Sequence, residues 1–207
     1  MTLDHVLAIG TRKSLRTTAL LLLVASLSGC GAMLAQNPSS PLKPVRATAV
    51  GDDARVMLDG HDVVSYFTEG RHTMGTPQFK TLHQGVTFYF SNSLHKGLFD
   101  QEPAKYLPQY GGFCANGIVY GIPWGGDANT WRIIDGKLYI FGGAGSRAAF
   151  ELDTPANLAL ANRYWSQEVA GSNSFVQRSW RLVFKVPHYK SGEELNRLVQ
   201  QAAAKKS

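Results

Sequence analysis

An apolar run of nine residues, Ala19 to Leu27, is closed by Ser28-Gly29-Cys30 and preceded by Arg12, Lys13 and Arg16. A helix needs about 20 apolar residues to span a bilayer, so this run is too short to cross one. A basic stretch, a short apolar core and small residues at its end are the three zones of an export signal. Residues 1–29 are therefore expected to be removed, and only the chain beyond Gly29 has to be fitted into a fold. Three cations and Asp4 leave with them, which lowers the formal net charge from +6 to +4.

Leu27-Ser28-Gly29-Cys30 resembles the lipobox of bacterial lipoproteins. The resemblance implies a diacylglyceryl group on the Cys30 thiol, cleavage just before it, and acylation, for example by palmitate, of the new amine. Two or more acyl chains hold a protein on a membrane where one would be marginal. The lipid bilayer is then a partner through Cys30. Gly31, in place of Asp after the cysteine, implies the outer membrane and a body facing the periplasm. The alternative is an ordinary secretory signal that happens to contain a cysteine. From Gly31 to about Ala54 the residues turn small and polar, with Pro38, Pro41 and Pro44, as in a flexible spacer. With Cys30 committed to lipid, Cys114 is the one free thiol and no internal disulfide can form. The cations are scattered, without the basic stripe that nucleic-acid binding requires.

Hydrophobic residues make up 44% of the chain, enough for one core of ordinary size, and the folded body is expected from Arg55 onward. Asp62 to Phe67 reads as a strand or a turn of helix. Phe79-Lys80-Thr81-Leu82 and Val86 to Phe90 flank His83-Gln84-Gly85 and read as a β-hairpin. A helix over 92–101 comes next, with Ser91 or Asn92 as cap and Pro103 beyond its end. Tyr106 to Pro123 reads as loop with a short strand. Asp135-Gly136 between Trp131–Ile134 and Lys137–Ile140 is a stronger hairpin signal, because a tight two-residue turn needs positive φ. Thr154-Pro155 reads as a cap followed by proline at the first helical position, opening a helix to about Val169. Arg181 to Phe184 reads as a short strand, and Ser191-Gly192-Glu193-Glu194 as the capping box of a last helix reaching about Ala204. No internal repeat is legible. The expectation is an α+β body over 55–150 with a helical extension over 151–207.

Tyr89-Phe90-Ser91-Asn92-Ser93-Leu94-His95-Lys96-Gly97-Leu98-Phe99, followed by Glu102-Pro103-Ala104-Lys105-Tyr106, resembles a YHS domain. Asp59 to Phe67, Gln109 to Ala115 and Trp131 to Tyr139 resemble segments of the secreted, longer members, so the likeness runs over about 59–150. It implies a treble-clef-like unit, a hairpin joined to a helix, here extended by the second hairpin. In copper-transporting ATPases and some hydroxylases the family carries cysteines suspected of binding metal. In this chain those two positions are Ser91 and His95, and the opening segment lacks its cysteine too.

The residues left for a copper or zinc site are His95, Cys114 and His61, fewer than the four N or S ligands zinc commonly takes or the thiolates that Cu(I) prefers. The bland alternative for His95 is a surface or capping histidine. For Cys114 it is a core thiol, since cysteine is among the most buried residue types. A nucleophilic Cys114 would need a base nearby, and no local pattern supplies one. His72, His83 and His188 are isolated. Trp124, Trp131, Trp165 and Trp180 could line a groove but suit packing better. Gly142-Gly143-Ala144-Gly145 lacks a dinucleotide fingerprint. No catalytic residues and no cofactor are expected. The leading expectation is a non-enzymatic envelope binding module for a protein partner or a small ligand. Periplasmic copper or zinc handling is the alternative, and a thiol enzyme using Cys114 a second one.

Overall fold

Both expected hairpins are present in the computed structural model, which describes Leu42 and residues 44–205. The export signal, Cys30 and the spacer up to Pro41 lie outside the described residues. The first hairpin joins β3 (Thr76–His83) to β4 (Val86–Phe90) through Gln84-Gly85, and the second joins β5 (Asp127–Ile134) to β6 (Lys137–Phe141) through Asp135-Gly136. Both turn residues have positive φ in each case, 48° and 75° in the first and 49° and 71° in the second. That is the backbone a two-residue turn between right-twisted strands requires.

Two strands precede them. β1 (Ala47–Val50) and β2 (Asp53–Met57) pair antiparallel, and β2 runs parallel to β4 to complete a four-stranded sheet of order β1-β2-β4-β3. The fold thus begins inside the expected spacer, ahead of Arg55, with Val45 already buried. The short edge strand Ala47-Thr48-Ala49-Val50 has no alternating apolar pattern, and its pairing is fixed by the sheet rather than by its own residues. β4 is central and buried along its whole length.

Short helices connect the strands: α1 (Ser65–Thr68), α2 (Ser93–Gln101), α3 (Pro103–Tyr106), α4 (Ala115–Ile118) and α5 (Ala144–Glu151). Asn92 caps α2 by accepting the His95 N–H at 2.9 Å, as its position predicts. One expectation is corrected here. The stretch from Tyr106 to Pro123 holds a 3-10 turn (Gln109–Gly112) and α4 in place of a strand, and β structure there is limited to a bridge from Cys114 to Ile140. The glycine cluster after β6 opens a helix, α5, at Ala144. Of the two readings of Asp62–Phe67, the turn of helix is the one observed, as α1 from Ser65.

Helix α6 (Thr154–Tyr164) is capped by Asp153, whose carboxylate accepts the Ala156 N–H at 3.1 Å, so Thr154 is the first helical residue and not the cap. A π-helical turn, Trp165–Val169, continues it. Arg181–Phe184 is not a strand: α7 (Ser174–Val183) occupies it. Its side chains explain the departure. Asn173 caps the helix, Gln177 donates to Gly121 O at 3.1 Å, Arg178 to Pro123 O at 2.9 Å, and Arg181 is paired with Glu168. The helix is held to the body by its polar side, leaving Val176, Trp180 and Val183 exposed. Ser191 caps α8 (Gly192–Ala204) as expected. The class is α+β.

The elements also repeat. The 3-10 turn Leu58–Gly60, β3, β4, α2 and α3 each start 51 residues before the turn at Gln109, β5, β6, α5 and α6. Hairpin registers match at the same spacing: Lys80 faces Tyr89 and Trp131 faces Ile140, and both long strands are irregular just before that pair. Phe90 meets Phe99 at 5.2 Å between ring centroids, and Phe141 meets Phe150 at 5.3 Å. Thr81 bonds Asp100, and Arg132 pairs with Glu151. Among the described residues one hairpin–helix unit thus occurs twice, with β1, β2, α7 and α8 outside the repeat, which corrects the reading of no internal repeat. β6 joins the cores of the two copies, because its alternation sends Leu138 and Ile140 into the first and Tyr139 and Phe141 into the second.

Candidate functional site

Within each half, the second residue after the 3-10 turn faces the first turn of the helix after the hairpin. In the first half these are Asp62 and His95, both buried, with His95 Nδ1 donating to Asp62 Oδ2 at 2.6 Å. The carboxylate also accepts from the Val64 and Ser91 N–H groups, each at 2.9 Å, and from the Ser91 hydroxyl at 2.8 Å. The other imidazole nitrogen lies 3.1 Å from Thr68 Oγ1 and 3.7 Å from Glu69 Oε1. A buried carboxylate so completely satisfied is a structural pin, and it fills its own site. His95 is therefore neither a surface nor a capping histidine.

In the second half the same two places hold Cys114 and Ser146, with Sγ and Oγ 3.4 Å apart. The 3-10 turn before Cys114 is one residue longer than the turn before Asp62. The backbone beyond the turns is alike: the Ser65 N–H donates to Asp62 O, and the Gly117 N–H to Cys114 O. Gly142 stands where the first half has Ser91, and Gly143 where it has Asn92. A Cβ on Gly142 would lie 3.4 Å from Cys114 Sγ, so the glycine leaves the sulfur room. With small residues at all four places, this half opens a cleft of about 410 Å³. Cys114, Asn116, Tyr120, Trp124, Ser146 and Lys190 line it, and α8 forms one wall.

The cleft holds polar groups without partners. Asn116 is only 7% exposed, yet neither its side-chain amide nor its N–H has a hydrogen-bond partner among the described residues. The Ser146 N–H also lacks an acceptor there, since Gly143 has no side chain to cap α5. Its hydroxyl instead accepts the Gly142 N–H at 3.0 Å. Lys190 makes no ion pair among the described residues. Burial, reinforced by Glu194 and Tyr189, pushes the Tyr120 hydroxyl up to about 12, so it enters the cleft as a neutral group.

The three residues expected to share a metal ion stand in different surroundings. His95 is committed to Asp62, Cys114 lies at the cleft, and His61 Nδ1 donates to Leu58 O at 2.9 Å with its ring beside His72. Among the described residues no group of three or more His, Cys, Asp or Glu is placed to hold a metal ion. Cys114 is buried, and its side-chain partner is a hydroxyl rather than a base. Asp62 and Asn116 escaped the sequence reading. Asp62 stands 33 residues from its histidine, and a lone Asn in a glycine-rich stretch carries no pattern. The tryptophans divide: Trp124 lines the cleft, Trp131 packs on Tyr66, Trp165 on Tyr110, and Trp180 is exposed. Among the described residues no helix is long and apolar enough to cross a membrane. Comparison with protein-family models, with curated proteins and with solved structures finds no match for this chain, so its site is defined by its own geometry alone.

Proposed function

We propose that this chain is an envelope lipoprotein, tethered through lipid on Cys30, whose YHS-like body is a non-enzymatic binding module for a small ligand. The observation that carries the reading is the contrast between two equivalent positions. One is closed by Asp62 and His95, and the other is an open cleft onto which the Asn116 side chain faces without a partner among the described residues. Ligand sites are concave, largely apolar and furnished with a few convergent polar groups. The cleft has that character, with Tyr120, Trp124, Tyr189 and Leu195 beside Asn116, Ser146 and Lys190.

The test is a fragment titration of the ¹⁵N-labelled full chain followed by NMR. Shifts should cluster at Asn116, Tyr120, Gly145 and Ser146, and Gly145→Leu, which places at that position the residue the first half has at Leu94, should abolish them. Shifts confined to the first half, or none at all, would overturn the proposal. For the tether, radiolabelled palmitate should mark the wild-type protein in cells and not the Cys30→Ser variant. Equal labelling of both would refute it.

A further inference from the structure

We infer that the ligand of this cleft carries a carboxylate, which sits against Asn116, Ser146 and Lys190 where the first half holds the carboxylate of its own Asp62. The inference rests on the binding reading above and adds the chemistry of the ligand.

The first half displays how this backbone holds such a group. Asp62 is bound by the N–H two residues after it, that of Val64, and by donors around the start of α2: the Ser91 N–H and hydroxyl and His95 Nδ1. The second half lacks the acid and keeps one donor of that frame free, for the Gly142 N–H, in the place of Ser91, is taken by the Ser146 hydroxyl, which itself donates to Gly143 O. Asn116 follows Cys114 as Val64 follows Asp62, and its N–H now has no acceptor among the described residues. Asn92 accepts the His95 N–H in the first half, whereas Gly143 leaves the corresponding Ser146 N–H free. The Asn116 N–H, counterpart of a donor to Asp62, is thus left without the acid, and the Ser146 N–H without the cap that Asn92 gives α2.

Asn116 gives the independent sign of a ligand. It is 93% buried, its side-chain amide has no partner among the described residues, and it lines the cleft. Its amide is not sealed from solvent but faces the cleft, where it is available to an acceptor from outside the chain. Lys190 supplies a positive charge at the same cleft, and the uncapped start of the eight-residue α5 adds the favourable end of its dipole. The donors around Asp62 grip a planar group with two oxygens, and the cleft holds no arginine and no phosphate-binding loop. A carboxylate fits that frame better than a phosphate. Trp124 and Tyr189 offer flat apolar surface for the rest of the molecule.

The probes are benzoate, its neutral isostere benzamide, and inorganic phosphate, each titrated into the full chain by calorimetry and ¹⁵N NMR. Benzoate should shift the Asn116 and Ser146 amides and bind at least about tenfold more tightly than benzamide, the difference expected of hydrogen bonds to a charged group. Asn116→Leu and Lys190→Met should each weaken benzoate about tenfold and leave benzamide little changed. Benzamide binding as tightly as benzoate, or phosphate displacing benzoate at equal concentration, would overturn the carboxylate while leaving a ligand cleft in place. If no fragment and no probe shifts the cleft residues, the binding reading falls as well.

Discussion

Where the first half buries Asp62 against His95, the second carries Cys114 against Ser146, and everything nearby differs in the same direction. Ser91 and Asn92 become Gly142 and Gly143, and Leu94 becomes Gly145. Yet the hairpin registers, the aromatic pairs and the helix starts keep one spacing. A backbone can therefore be conserved within one chain while the chemistry at an equivalent point is exchanged. In one copy the donors are spent on an acidic side chain of the protein, and in the other the Gly142 and Ser146 donors satisfy their own loop while the Asn116 N–H has no acceptor among the described residues.

Substitutions made in pairs, one in each half, probe how far this equivalence extends. The largest effect should be symmetric. Phe99 and Phe150 are both fully buried against the preceding strand, so Phe99→Ala and Phe150→Ala should each cost about 3–5 kcal/mol in denaturant titrations. A large inequality would mean that one copy is peripheral to the fold. The next effect should be asymmetric. His95→Ala strips a buried carboxylate of a hydrogen-bond partner and should cost about 2–3 kcal/mol, whereas Ser146→Ala should cost less than about 1 kcal/mol. Comparable losses at the two positions would contradict the assignment of one as a pin and the other as an open site.

Smaller again are the turns. Gly85→Ala and Gly136→Ala each force a Cβ into positive φ and should cost about 1 kcal/mol, equally in both hairpins, by thermal unfolding. The smallest effect is at the surface: Thr81→Ala and Arg132→Ala each remove one partner of Asp100 and Glu151, which keep Lys96 and Arg147, and should each change stability by no more than about 0.5 kcal/mol.

Much of this architecture is written locally. Asp135-Gly136 and Gln84-Gly85 announce their turns because only certain residues tolerate positive φ, and Asn92 and Ser191 announce the helices they cap. The duplication is not written that way. Phe90 and Phe141, and Phe99 and Phe150, are identical at matching positions, but Val86 corresponds to Lys137 and Asp62 to Cys114. Burial fixes the aromatics, while the remaining positions follow whichever environment each copy meets. A pair of glycine turns 51 residues apart, each followed by a Phe at the same distance, was the available signal. Helix α7 misleads for a different reason: Leu182-Val183-Phe184 has strand-like residues, but polar anchors at Gln177, Arg178 and Arg181 decide its structure. Of the candidate site, Cys114 was visible as a free thiol and His95 only through a resemblance. The donors that matter, Asn116 and the Ser146 N–H, became visible only when the two halves could be compared.

The most direct test is to rebuild the first half's pin in the second by Cys114→Asp/Ser146→His in the full chain, followed by benzoate titration and a crystal structure. The new carboxylate should take the Asn116 N–H and the new imidazole, the fold should be unchanged, and benzoate should no longer bind. A folded double variant that still binds benzoate as tightly as the wild type would contradict the equivalence of the pin and the cleft.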